Sequence, residues 1–222
     1  MSMVIDKSEG GASLSTSGFQ TRPRDRGKPR DGRQRLIYGA GRLLAERGYA
    51  GMELRDVAER GEAPRGSIYH HFPGGKAQLA TEAAQVNGTL VRVGIERSLA
   101  ERGLKGTLAS FGEMFRRRAE DDPTLIGCPV AAAALARPED PALAAAATAA
   151  FESWEGPIAI ALEREGVDPD RAADFAGMVV STVEGALIRA RAAGELGPLD
   201  SAIAGLEAAL DGLLSGPMPR SR

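Results

Sequence analysis

A chain of 222 residues that is 43% hydrophobic is long enough for two modest cores and too apolar for overall disorder. Aromatic residues make up only 5% and alternating β-branched runs are nearly absent, while Ala, Leu, Glu and Arg dominate, which favours an all-α fold. The net charge of −2 conceals a split: residues 22–76 carry 13 Lys/Arg against 7 Asp/Glu, and residues 79–222 carry 14 against 21, so one end suits phosphates and the other suits solvent, a ligand or a partner subunit.

Residues 1 to about 20 are Ser/Gly-rich and without period, so ordering them would cost entropy with no burial in return. Arg22, Arg24, Arg26, Lys28 and Arg30 follow, interrupted by Pro23, Gly27 and Pro29. Residues 1–31 therefore read as a flexible, basic arm. Two readings of it stay open: an arm that wraps the duplex or enters its minor groove, and a solvated linker. A first helix is expected over Gly32 to Arg47, with Leu36, Ile37, Ala40, Leu43 and Leu44 inward and Gly48 as its end.

Two short amphipathic runs then flank a turn. Val57 and Ala58 give the first an apolar side, and Ile68 with Phe72 repeats it at i, i+4 on the second. Gly61 between them suits a left-handed helix end, and Pro64 suits a helix start. Helix, tight turn, helix is a unit that usually lays its second helix in a DNA major groove, with the first helix as its support.

Gly48-Tyr49, Leu54-Arg-Asp-Val-Ala58, Arg65-Gly-Ser-Ile-Tyr-His-His-Phe72 and Lys76 resemble the DNA-binding domain of the TetR family of transcriptional regulators. The chain departs from the family pattern in two places. Met52 and Glu53 stand where members usually carry Thr or Ser capping the first of the two helices, and Gly61-Glu62-Ala63 stands for Ala-Gly-Val. The resemblance implies DNA contacts from Tyr69, His70 and His71. With Arg65, Gly66, Ser67 and Lys76 they form the expected DNA-binding set, in which Tyr69 and Lys76 meet phosphates and Gly66 permits close approach.

Residues 32–78 are thus the expected DNA-binding domain and residues 79–216 a helical ligand-binding and dimerisation domain, with 217–222 as a flexible tail. A long helix should run from Lys76 to about Arg102, anchored by Leu79. Further helices are expected over Leu104 to Ala119, Pro129 to Ala136, Pro141 to Arg164, Asp170 to Ala193 and Leu199 to Leu214, punctuated by Pro and Gly. The runs Gly127-Cys-Pro-Val-Ala-Ala-Ala133 and Ser181 to Ala190 resemble the C-terminal domains of LmrA/YxaF-type members of the same family. Leu199, Ile203, Leu206, Leu210 and Leu213 recur at three and four spacing, a seam that suits a partner helix. Pairing of the last two helices with their symmetry mates as a homodimer is expected, and packing within the chain is the alternative.

His70, His71 and the distant Cys128 lack metal-ligand spacing, so no metal site is expected. No nucleophile–base pattern or phosphate loop points to catalysis, no cofactor is expected, and the protein reads as a non-enzyme. A single cysteine permits no internal disulfide, and no secretory segment or apolar run of about 18 residues occurs, so a cytoplasmic protein without membrane contact is expected. Pocket candidates are Leu108, Phe111, Phe115, Cys128, Phe151, Trp154, Ile158, Met178 and Thr182, with Met114 beside them; they suit an apolar or aromatic ligand. Glu184 and Arg189 stand out as charges on an otherwise apolar helix. The reading is a sequence-specific, ligand-responsive homodimeric regulator, acting as a repressor on an inverted-repeat operator in double-stranded DNA. The alternative is a DNA-binding architectural or partner-controlled protein without a small-molecule inducer.

Overall fold

Punctuation sets the helix boundaries. The computed structural model describes residues 31–64, 66–121 and 126–215; the basic arm up to residue 30, Arg65, the segment around Pro123 and the C-terminal tail lie outside the described residues. Among the described residues the helical spans are, in order, α1 Gly32–Arg47, α2 Leu54–Arg60, α3 Ser67–His71, α4 Gly75–Asp121, α5 Pro129–Ala134, α6 Pro141–Arg164, α7 Pro169–Ala193 and α8 Gly197–Ser215. The described residues contain no strand, as the composition implied. Pro141 and Pro169 occupy first-turn positions where no NH is needed, and the carboxylates of Asp140 and Asp168 cap the turns behind them. Gly194, at φ 73°, ends α7 in the left-handed conformation.

The α4 span is two helices in one. Gly103 breaks it with φ 66° and ψ −171°, into segments 75–102 and 104–121. A straight helix would hold residues 98 and 110 about 18 Å apart. Instead the Ser98 and Ser110 hydroxyls bond at 3.3 Å and Arg102 meets Glu113 at 3.0 Å, so the second segment folds back along the first. The Thr107 hydroxyl donates to the Gly103 carbonyl at 2.8 Å and steadies the corner.

Leu36, Ala40, Leu43 and Leu44 of α1 are fully buried with Met52, Val57, Phe72 and Leu79, and α1 is the support helix of the reading head. At the two positions that depart from the capping pattern, Met52 fills core and Glu53, at the N-cap of α2, makes no side-chain cap bond. The turn between α2 and α3 differs from expectation at Gly61. Its φ is −81°, and the left-handed residue is Glu62, at φ 48°. Gly61 is needed for space: a Cβ there would lie 3.1 Å from the carbonyl oxygens of Arg35 and Val57. Arg35 braces the same turn, its Nε donating to the Gly61 carbonyl at 2.9 Å.

The core is continuous from the head into the larger domain. Gly88 of α4 lets α6 approach closely, because a Cβ would come within 2.7 Å of the Ala150 Cβ, and Trp154 donates its indole NH to the Gly88 carbonyl at 2.8 Å. The leucine stripe of α8 is not an open seam. Leu199, Ile203, Leu206 and Leu210 are buried within their own chain, where α8 packs on α4 and α7. The periodicity marked the intrachain face.

Candidate nucleic-acid interface and ligand chamber

The α3 helix has five residues, of which Ile68 and the following Phe72 plug into the head while the opposite edge faces outward. Tyr69 is 64% exposed, His70 is exposed, and a Cβ on Gly66 would meet nothing within 4 Å. Ser67 is half-buried; its hydroxyl donates to the Pro64 carbonyl at 2.6 Å and pins the start of the helix. His71 turns partly inward, near Gly32 of α1 and edge-on to Phe72. Lys76 lies over the Tyr49 ring at 4.8 Å and donates to the Ala50 carbonyl at 3.2 Å, which leaves further ammonium donors to spare. Arg65 lies outside the described residues.

Several arginines of the head are committed within the chain: Arg33 to Glu82, Arg60 to Glu46, and Arg47 with Arg55 to Asp56. The two arginines hold the Asp56 carboxyl below the usual carboxylate range. These pairings spend much of the positive charge of the described head within the chain.

In the larger domain a cavity of about 580 Å³ opens between both segments of α4, the start of α5, and α6 and α7. That is within the ~300–1,000 Å³ of small-molecule sites. Val91, Ile95, Phe115, Val130, Trp154 and Val183 supply much of its apolar wall. Of the nine pocket candidates, Phe111, Phe115, Cys128 and Trp154 line it. Leu108 and Ile158 border a separate void of about 10 Å³. Phe151 packs edge-on against the back of Trp154, Met178 is exposed, and Thr182 is half-buried away from the cavity wall.

The polar wall was less legible. Asn87, Arg97, Arg117, Arg118 and Glu120 all reach the cavity, and nothing in an amphipathic pattern separates a cavity arginine from a surface one. Glu184 was flagged as a charge on an apolar face and does line the cavity, whereas Arg189 faces solvent. Burial pushes the Glu184 carboxyl up to about 7, against the opposing pull of a hydrogen bond from the Cys128 thiol. Burial, and then the Glu184 charge, raise the Cys128 thiol well above its ordinary range, so it is a protonated, unreactive group. Burial also lowers the Arg118 pKa, and its guanidinium lies 5.6 Å from the centre of the Phe115 ring.

A joint links cavity and head. Arg191, in the last turn of α7, donates to the carbonyls of Ala45 and Glu46 at the C-terminal end of α1, where helix carbonyls lack their own partners. Gly127, next to the cavity residue Cys128, packs into the same place: a Cβ there would lie 3.0 Å from the Ala45 oxygen. Among the described residues no group of His, Cys, Asp or Glu could hold a metal ion, and no helix is long and apolar enough to cross a membrane.

Residues 36–83 match the family described as bacterial regulatory proteins, tetR family, and residues 106–204 match the transcriptional regulator LmrA/YxaF-like C-terminal domain. The chain is 36% identical over 175 residues to the uncharacterized HTH-type transcriptional regulator Rv0196 of Mycobacterium tuberculosis, covering 76% of this chain and 88% of that one. It is 27% identical over 174 residues to the HTH-type transcriptional regulator LmrA of Bacillus subtilis, covering 76% and 91%. Among solved structures, a TetR transcriptional regulator from Legionella pneumophila superposes with a TM-score of 0.73 at 19% identity, covering 82% of this chain and 98% of that one, which speaks to the fold. With a helix-turn-helix head on a helical domain, and a relative this similar along most of its length, the chain belongs to the TetR family of DNA-binding transcriptional regulators.

Proposed function

We propose that the protein is a homodimeric repressor that leaves an inverted-repeat operator when a small hydrophobic or aromatic ligand fills the chamber. The observation that carries this reading is the placement of α4. Its first segment starts beside α3 with Lys76 and, about three turns further along the same helix, forms the chamber wall with Asn87, Val91 and Ile95. A ligand that tilts this helix moves the reading head with it. The Arg191 joint gives the same movement a second route, through α1.

In this reading Gly66, Tyr69 and His70 face the duplex, Ser67 and His71 steady the edge of α3, and Arg65 and Lys76 add phosphate contacts. Two heads dock together only when their recognition helices stand about 34 Å apart, so a small tilt ends simultaneous docking while each head stays folded. Dimerisation is assigned to the outward faces of α7 and α8. Gly185, Gly205 and Gly212 lie there with nothing within 4 Å of a would-be Cβ, so the chain's own packing does not require them. Each costs about 1 kcal/mol in helix stability relative to Ala, a cost that close approach of a mate's helices would offset.

Selection of bound duplexes from a random DNA library tests this reading. The expected product is an inverted repeat whose half-sites lie about one helical turn, or a multiple of it, apart. Enrichment of a single unrepeated site, or of none, would contradict it.

A further inference from the structure

The chamber holds two polar groups that the described residues leave without a full set of partners. Glu184 Oε2 is buried and makes no hydrogen bond, and the thiol of Cys128 serves the carboxyl only in part. Arg118 forms no ion pair or hydrogen bond among the described residues, and Phe115 gives it only a ring to lie beside. The two do not answer each other, since Glu184 is absent from the charges that act on Arg118. A half-buried cation and a buried carboxyl oxygen left open among the described residues are each costly, and such groups survive where something else completes them.

The surroundings say what that is. Much of the remaining wall is apolar: Val91, Ile95, Met114, Val130, Val179 and Val183. Arg97 and Arg117 are exposed and line both the chamber and a smaller adjoining recess of about 100 Å³. Glu120 at the chamber, and Glu101 and Glu113 at the recess, stand among these cations, and Arg117 lies 3.9 Å from Glu113, so Arg118 is the cation that the interior itself offers an acid.

Resting on the reading of the chamber as the effector site, we propose that its ligand is an apolar organic acid, with the acid group on Arg118 and a hydrogen-bond donor such as a hydroxyl on Glu184. The planar guanidinium matches a carboxylate with two parallel NH donors, and a hydroxyl supplies the proton that Oε2 lacks. A wholly apolar compound of the same size would leave both groups open.

Trp154 lines the chamber and is the only tryptophan of the chain, so its fluorescence reports occupancy directly. Two probes with the same rings separate charge from shape: anilinonaphthalenesulfonate and its uncharged counterpart phenylnaphthylamine. Full-length protein should bind the sulfonate at least about tenfold more tightly, and Arg118→Leu should erase that preference while leaving the neutral probe unchanged. Arg118→Gln serves if the leucine variant does not fold, and retained binding of the neutral probe shows an intact chamber in either. Equal affinities in the wild type, untouched by either substitution, would overturn the acid while leaving the chamber as an effector site. Failure of both probes to quench Trp154 would overturn the chamber reading as well. For the second group, hydroxynaphthoate should displace the sulfonate probe at lower concentration than naphthoate, and Glu184→Leu should abolish the difference. Equal displacement by the two in the wild type would refute the donor at Glu184.

Discussion

Replacing Glu184 by glutamine tests the electrostatics of the chamber without a ligand. The side chain titrates at 4.5 when unfolded and at about 7 in the fold, because burial penalises its charged form. Between those values the folded state holds a proton that the unfolded state has lost, so stability is fully present below pH 4.5, falls as pH rises toward 7, and is flat above. At about 1.36 kcal/mol per pH unit, the step is worth roughly 3 kcal/mol. Glutamine is a neutral isostere and carries no such step. Glu184→Gln should therefore match the wild type near pH 4.5 and exceed it by up to about 3 kcal/mol near pH 8, or about 6–12 °C for a chain of this length. Thermal unfolding of both proteins at equal concentration across this range is the assay. The difference between them isolates Glu184 from other carboxylates, such as Asp56, whose pKa shifts in the opposite direction. A pH-independent difference, or a variant less stable at the alkaline end, would refute the buried-carboxyl reasoning.

Three further substitutions address the fold and its coupling. Glu62→Gly should raise stability by about 1 kcal/mol, since Glu62 holds φ 48° where a side chain is disfavoured; chemical denaturation giving no gain would mean the turn is not strained. Arg191→Ala should leave probe binding to the chamber intact while weakening the effect of an effector on operator affinity; undiminished coupling would leave α4 as the sole route. Leu206→Glu with Leu210→Glu should now unfold the larger domain, because both side chains are buried, whereas Gly205→Arg with Gly212→Arg should give folded monomers by sedimentation. A folded monomer from the leucine pair would restore the leucine seam as the interface.

Local chemistry made most of the fold legible. Proline, glycine and Asp caps act within a turn of where they stand, so Gly32–Arg47 and Pro141–Arg164 could be read to the residue, and the break at Gly103 was visible as a glycine between two apolar runs. What faces what was less legible. The stripe of Leu199, Ile203, Leu206 and Leu210 has the same period whether it meets a mate or its own α4 and α7, and only packing decides. The same limit applied in the turn, where Gly61 was read as a conformational glycine and proved to be a spatial one, with Glu62 carrying the positive φ. In the chamber, aromatic residues were easy candidates, but most of the wall is aliphatic or charged. Arg118 looks like any helix-surface arginine until the second segment of α4 folds back beside the first.

The coupling between chamber and operator is the quantity on which the proposed function depends. Operator affinity can be followed by fluorescence anisotropy of labelled DNA, with and without the tightest-binding organic acid found for the chamber. The affinity of that acid can be followed through Trp154, with and without operator. Linkage requires both affinities to fall by one factor, about 5–150-fold for a coupling of ~1–3 kcal/mol. An acid that saturates Trp154 while operator affinity stays unchanged would contradict control of DNA binding by this chamber.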